Sequence, residues 1–171
     1  EKILDSSLKG FVDKKNPYFD FRTNFNNFPY GISFFNYCGY SINPGFINLN
    51  FSIQSIGNNF SDLMVARNFN LDFDFQNSKL EPINEEEENK EFIESFPTNI
   101  SQIKGGWSGY GPESYFRNVE IKSEEINLKG FGNTTKKGTE VFNFWGLKNG
   151  KMYSLNLTTG KGGVECQILK K

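Results

Sequence analysis

The C-terminal stretch of the chain decides its fold, and from Gly105 to Leu169 it reads GGWSGYGPESYFRNVEIKSEEINLKGFGNTTKKGTEVFNFWGLKNGKMYSLNLTTGKGGVECQIL. Short alternating apolar runs follow one another here, each closed by a cluster of turn-forming residues; the runs are 118–121, 126–131, 141–147, 153–158 and 164–169. Runs of this length and spacing are typical of an antiparallel meander. The turn Asn149-Gly150 is the strongest hairpin signal, because a type I′ turn needs a positive φ at both central residues.

The N-terminal half of the chain shows the same alternation, through residues 19–25, 30–34, 46–54 and 63–75. A period of two over such lengths predicts strands, although a short helix over Ser61–Ala66 is an alternative for the start of the last run. Large sheets close or stack to protect their edges. We therefore predict an all-β protein, either an antiparallel β-barrel or a two-sheet β-sandwich of about eight to ten strands.

Charge divides the chain into segments. Residues 81–100 carry seven Glu and one Lys, whereas residues 101–171 carry eleven Lys or Arg and six Glu. Asn84 followed by Glu87 resembles a capping box, and Pro97 ends the segment, so we predict one short acidic helix near 84–95. This helix is either a solvated face or a docking handle for a basic partner. We expect a flexible or docking arm at 1–16 and a single β-domain at 17–171, with an acidic helical insertion at 81–98.

Composition limits the chemistry that this chain can perform. Hydrophobic residues make up only 36% of it, but Phe alone contributes 19 residues, so the core must be built from aromatic side chains. The chain has no His and only two Cys, which removes the usual general base and the commonest metal ligand. We therefore assign no catalytic residue, no metal ligand and no cofactor. A net charge of −1 favours no nucleic-acid partner, and no apolar run approaches the roughly 20 residues of a transmembrane helix.

Two arginines and three aromatic residues are the candidate ligand-binding residues: Arg67, Arg117, Trp107, Tyr110 and Tyr115. Strand parity places both arginines on the apolar side of their strands. A buried guanidinium needs a carboxylate or another hydrogen-bonding partner. The two arginines are therefore either members of structural ion pairs or the anion-binding floor of an aromatic cavity.

Processing signals suggest a compartment without defining it. The chain begins at Glu1 rather than Met, so we expect a processed or trimmed product, and we favour a secreted or extracytoplasmic protein over an organellar one. Cys38 and Cys166 have inward parity near the two ends of the chain, and we expect them to form a disulfide if the protein is secreted. Glycosylation sequons permit modification at Asn50 and Asn156 on polar faces and in loops at Asn59, Asn99 and Asn133.

The function that these features favour is a non-enzymatic β-domain that acts as a binding or assembly module. It would be either a subunit that docks to other proteins or a carrier of a small apolar or anionic ligand. The alternative is a glycan-binding or carboxylate-based glycan-hydrolysing domain that uses Trp107, Tyr110 and Tyr115. An enclosed cavity would favour the carrier, facing carboxylates the hydrolase, and a filled core with an exposed aromatic patch the assembly subunit.

Overall fold

The computed structural model describes residues 4–11, 18–29, 35–37, 40–43, 45–57, 60–82, 96–111, 113–134, 139–160 and 163–169. These residues form twelve strands and one short helix, in the order β1 (Leu4–Phe11), β2 (Tyr18–Pro29), β3 (Phe35–Tyr37), β4 (Tyr40–Asn43), β5 (Phe46–Ile56), α1 (Phe60–Val65), β6 (Asn68–Pro82), β7 (Asn99–Tyr110), β8 (Glu113–Lys122), β9 (Ile126–Thr134), β10 (Glu140–Lys148), β11 (Lys151–Gly160) and β12 (Gly163–Leu169).

All twelve strands belong to one antiparallel sheet, in the order β1-β2-β5-β6-β7-β8-β9-β10-β11-β12, with a β3–β4 hairpin attached to the end of β6. The prediction of an antiparallel all-β protein is confirmed. The sheet is open, so the prediction of a closed barrel is wrong. In the described part of the chain the end strands β1 and β12 pair only with β2 and β11. A second sheet is not part of this topology, and the sandwich is not confirmed.

The hairpin turn at Asn149-Gly150 forms as the sequence predicts. Asn149 has a φ of 49° and Gly150 a φ of 74°, and the flanking residues Lys148 and Lys151 are register partners in β10 and β11. Positive φ at both central positions matches the right-handed twist of the two strands that the turn joins.

The long alternating run from Leu63 to Phe75 divides into two elements. Its first part is the helix α1, the alternative that the sequence offered, and β6 begins only at Asn68. β6 then pairs with β5 over Asn68–Gln76 and with β4 over Lys79–Pro82. At the change of partner Asn77 has a φ of 52°, and the Gly45 N–H donates to the carbonyls of Gln76 and Asn77 at 3.0 and 3.2 Å.

The two faces of the sheet differ in chemistry. In β9 the residues at even positions 126–132 are buried and those at odd positions 127–131 are exposed. We call the side that carries Leu128 the apolar face and the side that carries Lys129 the polar face. The core cluster on the apolar face consists of Leu80, Phe96, Ile100, Val119, Ile126, Leu128, Phe142, Phe144, Leu155 and Leu157.

Phenylalanine rings on the apolar face lie over glycines of the neighbouring strand. The cross-strand partners are Phe69 with Gly109, Phe73 with Gly105, Phe142 with Gly132 and Phe144 with Gly130. A Cβ at Gly130 would lie 2.4 Å from the Asn143 carbonyl oxygen and 2.4 Å from Cδ1 of Phe144. Only a residue without a side chain leaves this space, so the glycines allow the aromatic rings to cover β7 and β9.

These rings continue into an aromatic row that crosses the sheet from β6 to β10. Its centroid separations are 4.8 Å for Phe69–Trp107, 5.3 Å for Trp107–Phe116, 4.7 Å for Phe116–Phe142 and 6.2 Å for Phe142–Phe144. Aromatic pairs at such separations contribute more than their buried area alone. An aromatic cluster is therefore present, as expected, but the prediction of a core built from aromatic side chains is wrong, because seven of the ten residues in the core cluster are Leu, Ile or Val.

Two predicted segments differ from the structure or lie outside it. Residues 4–11 of the expected flexible arm form β1, which pairs with β2 from Leu4↔Phe25 to Phe11↔Tyr18. The backbone hydrogen bonds of a strand form whatever its side chains are. The weak side-chain alternation of this segment therefore did not reveal the strand β1. Whether the segment also docks to another molecule stays a prediction. The acidic helix near 84–95 lies outside the described residues.

The glycine positions provide a stability test. We expect Gly130→Ala to lower the free energy of unfolding by roughly 2–3 kcal/mol, because the new methyl group overpacks against a backbone carbonyl and the Phe144 ring. Gly106→Ala is the matched control in β7. Its Cβ would meet only the side chains of Arg117 and Asp72, at 2.9 and 3.0 Å, and we expect a cost below about 1 kcal/mol. Equal losses in urea denaturation would contradict this account of the core.

Candidate functional site

The structure brings together three of the five residues predicted to bind a ligand. Tyr110, Tyr115 and Arg117 lie on the polar face of β7 and β8, where the two tyrosines are 69% and 53% exposed. Trp107 lies on the opposite, apolar face and stacks on Phe116. Arg67 lies in the connection between α1 and β6, just before the strand begins. The predicted set is therefore divided between two faces of the sheet and a connecting segment.

Arg117 is exposed, and the prediction that its side chain points inward is wrong. The register of β8 with β9 shifts between Phe116 and Val119, and Asn118 has a φ of 51°. This bulge adds one residue, so Phe116 and Val119 both face the core although their positions differ in parity. The side chain of Arg117 is 49% exposed as a result.

The guanidinium of Arg117 reaches across β7 to the side chains of β6. Its Nη2 donates to Asn70 Oδ1 and, at 3.4 Å, to Asp72 Oδ1. Asp72, Gly106 and Arg117 are register partners on three successive strands. Because Gly106 has no side chain, the ion pair can pass directly over it. Exposed pairs of this kind contribute little to stability, so its main effect is to orient the guanidinium on the polar face.

Arg67 joins α1 to the turn between β7 and β8. Its Nε donates to the Gly111 carbonyl at 3.3 Å, and the Gly111 N–H donates to the Arg67 carbonyl at 2.9 Å. The guanidinium carbon lies 5.9 Å from the centroid of the Phe69 ring. The side chain is half-buried, and these contacts give it a structural role. The parity argument failed here because residues 60–65 are helical, so the alternation of a strand does not apply to them.

The polar groups around Tyr110 and Tyr115 form a continuous surface, which we call the tyrosine surface; it consists of Asn70, Asp72, Tyr110, Glu113, Tyr115 and Arg117. The Tyr115 hydroxyl donates to Glu113 Oε2 at 3.3 Å. Ser108 lies between Asn70 and Tyr115 in the register of the three strands. Exposed rings beside amide, carboxylate and guanidinium groups can stack on a flat ligand and hydrogen-bond to its polar edge.

Sequence reasoning missed a second surface on the polar face, formed by Phe131, Trp145, Leu147 and Met152, which we call the docking patch. These side chains are 51%, 47%, 44% and 71% exposed. The rings of Phe131 and Trp145 are 5.7 Å apart and nearly perpendicular. The alternation in β9 could have revealed it, since Phe131 occupies a position of the polar face.

One carboxylate on the polar face is held by several lysines. Glu120 lies 2.9 Å from Lys122 Nζ, 3.3 Å from Lys104 Nζ and 3.5 Å from Lys129 Nζ. Hydrogen bonds from Lys122 and then from Lys104 lower the pKa of Glu120 from 4.5 to about 2. The carboxylate therefore stays charged at neutral pH, and its role is to neutralise the lysines.

A second carboxylate, Asp20 on β2, is held in a similar way. Its oxygens accept from Arg22 Nε and Nη2 at 3.2 and 3.1 Å, from Gln54 Nε2 at 3.1 Å and from the Tyr18 hydroxyl at 3.2 Å. The hydrogen bonds from Arg22, and after them those from Gln54, lower the pKa of Asp20. A carboxylate that is stabilised in its charged form is a poor general acid.

Two grooves in the described part of the chain are open to solvent. One has a volume of about 610 Å³ and lies where β6, β7 and the β8–β9 turn meet. The other, of about 250 Å³, is lined by side chains of β2, β5 and β6, including Asn24, Asn48 and Asp74. Neither has the closed, apolar lining of a carrier cavity. Among the described residues no group of three or more Asp, Glu, Cys or His could hold a metal ion.

The modification sites are only partly placed. Cys38 lies outside the described residues, and of Cys166 only the backbone is described, paired with Leu157, so the disulfide stays a prediction. Asn50 and Asn156 lie on the polar face, as expected, and Asn59 is not described. The sequence placed Asn99 and Asn133 in loops, but Asn99 begins β7 and Asn133 lies within β9. Glycosylation at these positions stays a prediction.

Comparisons of this chain with protein-family models, curated proteins and solved structures found no match. Among the residues that the structure describes, no helix has the length and apolar character needed to cross a membrane.

The lysine-bound carboxylate predicts a pH dependence of stability. Because the folded pKa of Glu120 is about 2 and its ordinary value is 4.5, its contribution is present above pH 4.5 and is lost as the pH falls towards 2. Glu120→Gln should therefore lower the free energy of unfolding at pH 6, and this deficit should shrink between pH 4.5 and 2. Glu124→Gln, which changes an exposed carboxylate in the following turn, is the control. A deficit that does not vary with pH would contradict the assignment.

Proposed function

We propose that this protein is a non-enzymatic assembly module that docks onto a second copy of the same chain through the docking patch. The observation that carries the proposal is the exposure of Phe131, Trp145, Leu147 and Met152 on one face of adjacent strands. Contiguous apolar patches on soluble proteins usually mark interaction sites, and aromatic residues and Met are enriched in protein interfaces.

The register of β9, β10 and β11 supports the continuity of the patch. Trp145 lies between Lys129 and Ser154, and Leu147 is the cross-strand partner of Met152. Side chains opposite each other on one face lie about 5 Å apart. The ring contact between Phe131 and Trp145 extends the patch towards β8. The apolar groups therefore form one surface rather than separate exposed residues.

The charge around the patch favours an acidic partner. Lys129, whose side chain is 65% exposed, lies beside Trp145, and Lys148 and Lys151 are partners at the end of the hairpin. Residues 81–100 of the same sequence carry seven Glu and one Lys, together with Phe92. A second copy therefore supplies a segment whose composition complements a basic, aromatic surface, and complementary charge speeds and orients association.

The other functions considered have less support. The carrier function needs an enclosed cavity, and both grooves described above are open. The anion-binding floor needs two inward guanidinium groups, but Arg117 is exposed and Arg67 binds the backbone of Gly111. No arrangement among the described residues supports glycan hydrolysis, and Glu120 is held by lysines.

Glycan binding is a second candidate function, because the tyrosine surface places two exposed rings beside Arg117, Asp72 and Asn70. Sugar rings present apolar C–H faces and polar hydroxyl edges, and this surface has groups for both. It lies on β6, β7 and β8, apart from the docking patch on β9, β10 and β11, so variants can separate the two candidates.

Self-association tests the main proposal. We expect the protein to form concentration-dependent oligomers in sedimentation velocity, and Phe131→Ser/Trp145→Ser to weaken the association at least about tenfold, since buried aromatic hot spots contribute roughly 2–4 kcal/mol. Tyr110→Ser is the matched control, because it removes an exposed ring on the same face outside the patch. A wild-type protein that stays monomeric, or a double variant that associates as well as the control, would contradict the proposal.

Oligosaccharide binding tests the second candidate. If the tyrosine surface binds glycans, a glycan array should give a hit whose affinity falls about tenfold in Tyr110→Ala/Tyr115→Ala, because the stacking surface is lost. Phe131→Ser/Trp145→Ser should keep that affinity. A hit that loses affinity only in the docking-patch variant would place the glycan elsewhere and rule out the tyrosine surface.

A further inference from the structure

The groove of about 610 Å³ is lined by one buried polar side chain whose hydroxyl group forms no hydrogen bond with the described part of the protein. The groove lies where the part of β6 around Asn77, the start of β7 and the β8–β9 turn meet. Ser78 lines it and is 2% exposed, and its hydroxyl has no hydrogen-bond partner among the described residues. Buried hydroxyls are nearly always hydrogen-bonded, so this one calls for a partner that enters from the groove.

The position of Ser78 follows an interruption of the strand ladder at Asn77, where no residue is inserted. Asn77 has a φ of 52°, and it has no partner between the pairs Gln76↔Gln102 and Ser78↔Ile100 in the register with β7. Ile100, which is 1% exposed, lies across from Ser78 and also lines the groove. The hydroxyl is therefore set at an otherwise apolar position, against the core and next to an opening.

Several other groove residues already have partners. Ser101 donates its hydroxyl hydrogen to the Lys122 carbonyl at 2.8 Å. Ser123 Oγ accepts from the N–H groups of Glu125 and Ile126, both at 3.1 Å. Lys79, the only cation among the lining residues, forms an ion pair with Glu81 at 3.0 Å. These groups are therefore less available for a ligand.

The remaining groups make the groove rich in hydrogen-bond acceptors and negatively charged. They are the hydroxyls of Ser78 and Thr98, the amide of Asn99 and the exposed carboxylates of Glu124 and Glu125. An anion would be repelled, and a neutral polyol would donate hydroxyl hydrogens but leave the negative charges of both carboxylates unpaired. A group with several N–H donors and a positive charge would satisfy the hydroxyl and the carboxylates together.

We propose that this groove binds an aliphatic amine with two or more primary ammonium groups. One ammonium group donates to Ser78 Oγ at the apolar end of the groove, beside Ile100. The methylene chain lies along the groove, and the second ammonium group meets Glu124 and Glu125 at the open end. This site is independent of the docking patch and of the tyrosine surface, which lie on other parts of the sheet.

Isothermal titration with 1,4-diaminobutane tests the proposal, with 1,4-butanediol as the neutral ligand of equal length. We expect the diamine to bind with a stoichiometry of one and the diol at least tenfold more weakly. Glu124→Gln/Glu125→Gln should weaken diamine binding at least tenfold, whereas Glu113→Gln, at the opposite end of β8, should leave it unchanged. Equal weakening by Glu113→Gln would show non-specific attraction to negative charge and overturn the proposal, as would equal binding of the diol.

Ser78→Ala separates a ligand-binding role from a structural one. If the hydroxyl serves the ligand, the free variant should keep or raise its thermal midpoint, because an unpartnered buried hydroxyl has been removed. The rise in midpoint that the diamine causes should shrink in the same variant. A lower midpoint in the free variant, or an unchanged rise with the diamine, would overturn the assignment of Ser78 to the site.

Discussion

The structure depends on the contact between phenylalanine rings and glycine backbone on the apolar face. At four cross-strand positions a ring from β6 or β10 lies over a glycine of β7 or β9. With only 36% hydrophobic residues, the protein adds a few large rings to a core of buried Leu, Ile and Val. Those rings need glycine neighbours to lie flat against the sheet, because a Cβ would occupy their place. The aromatic rings on the apolar face therefore require glycines at the facing positions of the neighbouring strands.

Two interruptions of the strand ladder affect which groups reach the two faces of this sheet. At Asn77, where φ is positive and no residue is inserted, β6 changes its partner from β5 to β4 and the next residue, Ser78, is buried. At Asn118 the bulge moves Arg117 to the polar face while Val119 stays buried. Asn77 and Asn118 both have a positive φ, which Asn tolerates better than most residues because of its short polar side chain. The groove and the tyrosine surface both follow from such local interruptions.

The polar face carries charge and exposed rings side by side. Glu120 neutralises lysines from three strands, and this balance keeps a net positive segment from repelling itself. Next to it Trp145 and Phe131 stay exposed, although burial of either ring would stabilise the fold. Folding gains nothing from leaving these rings exposed, whereas a docking role would use them. We therefore favour an assembly function over a ligand site in the interior.

The sequence by itself determined the antiparallel all-β class, most of the strands after β1 and the turn at Asn149-Gly150, because alternation and turn chemistry act between near neighbours. It did not determine the closure of the sheet, since strand patterns carry no information on whether β1 meets β12. It also misplaced Arg117, because the bulge residue Asn118 breaks the parity that Arg117 would otherwise share with Val119, and Arg67, because the alternating run before it is helical. The docking patch and the groove were decided only by the tertiary structure, which sets strand register and therefore which side chains become neighbours.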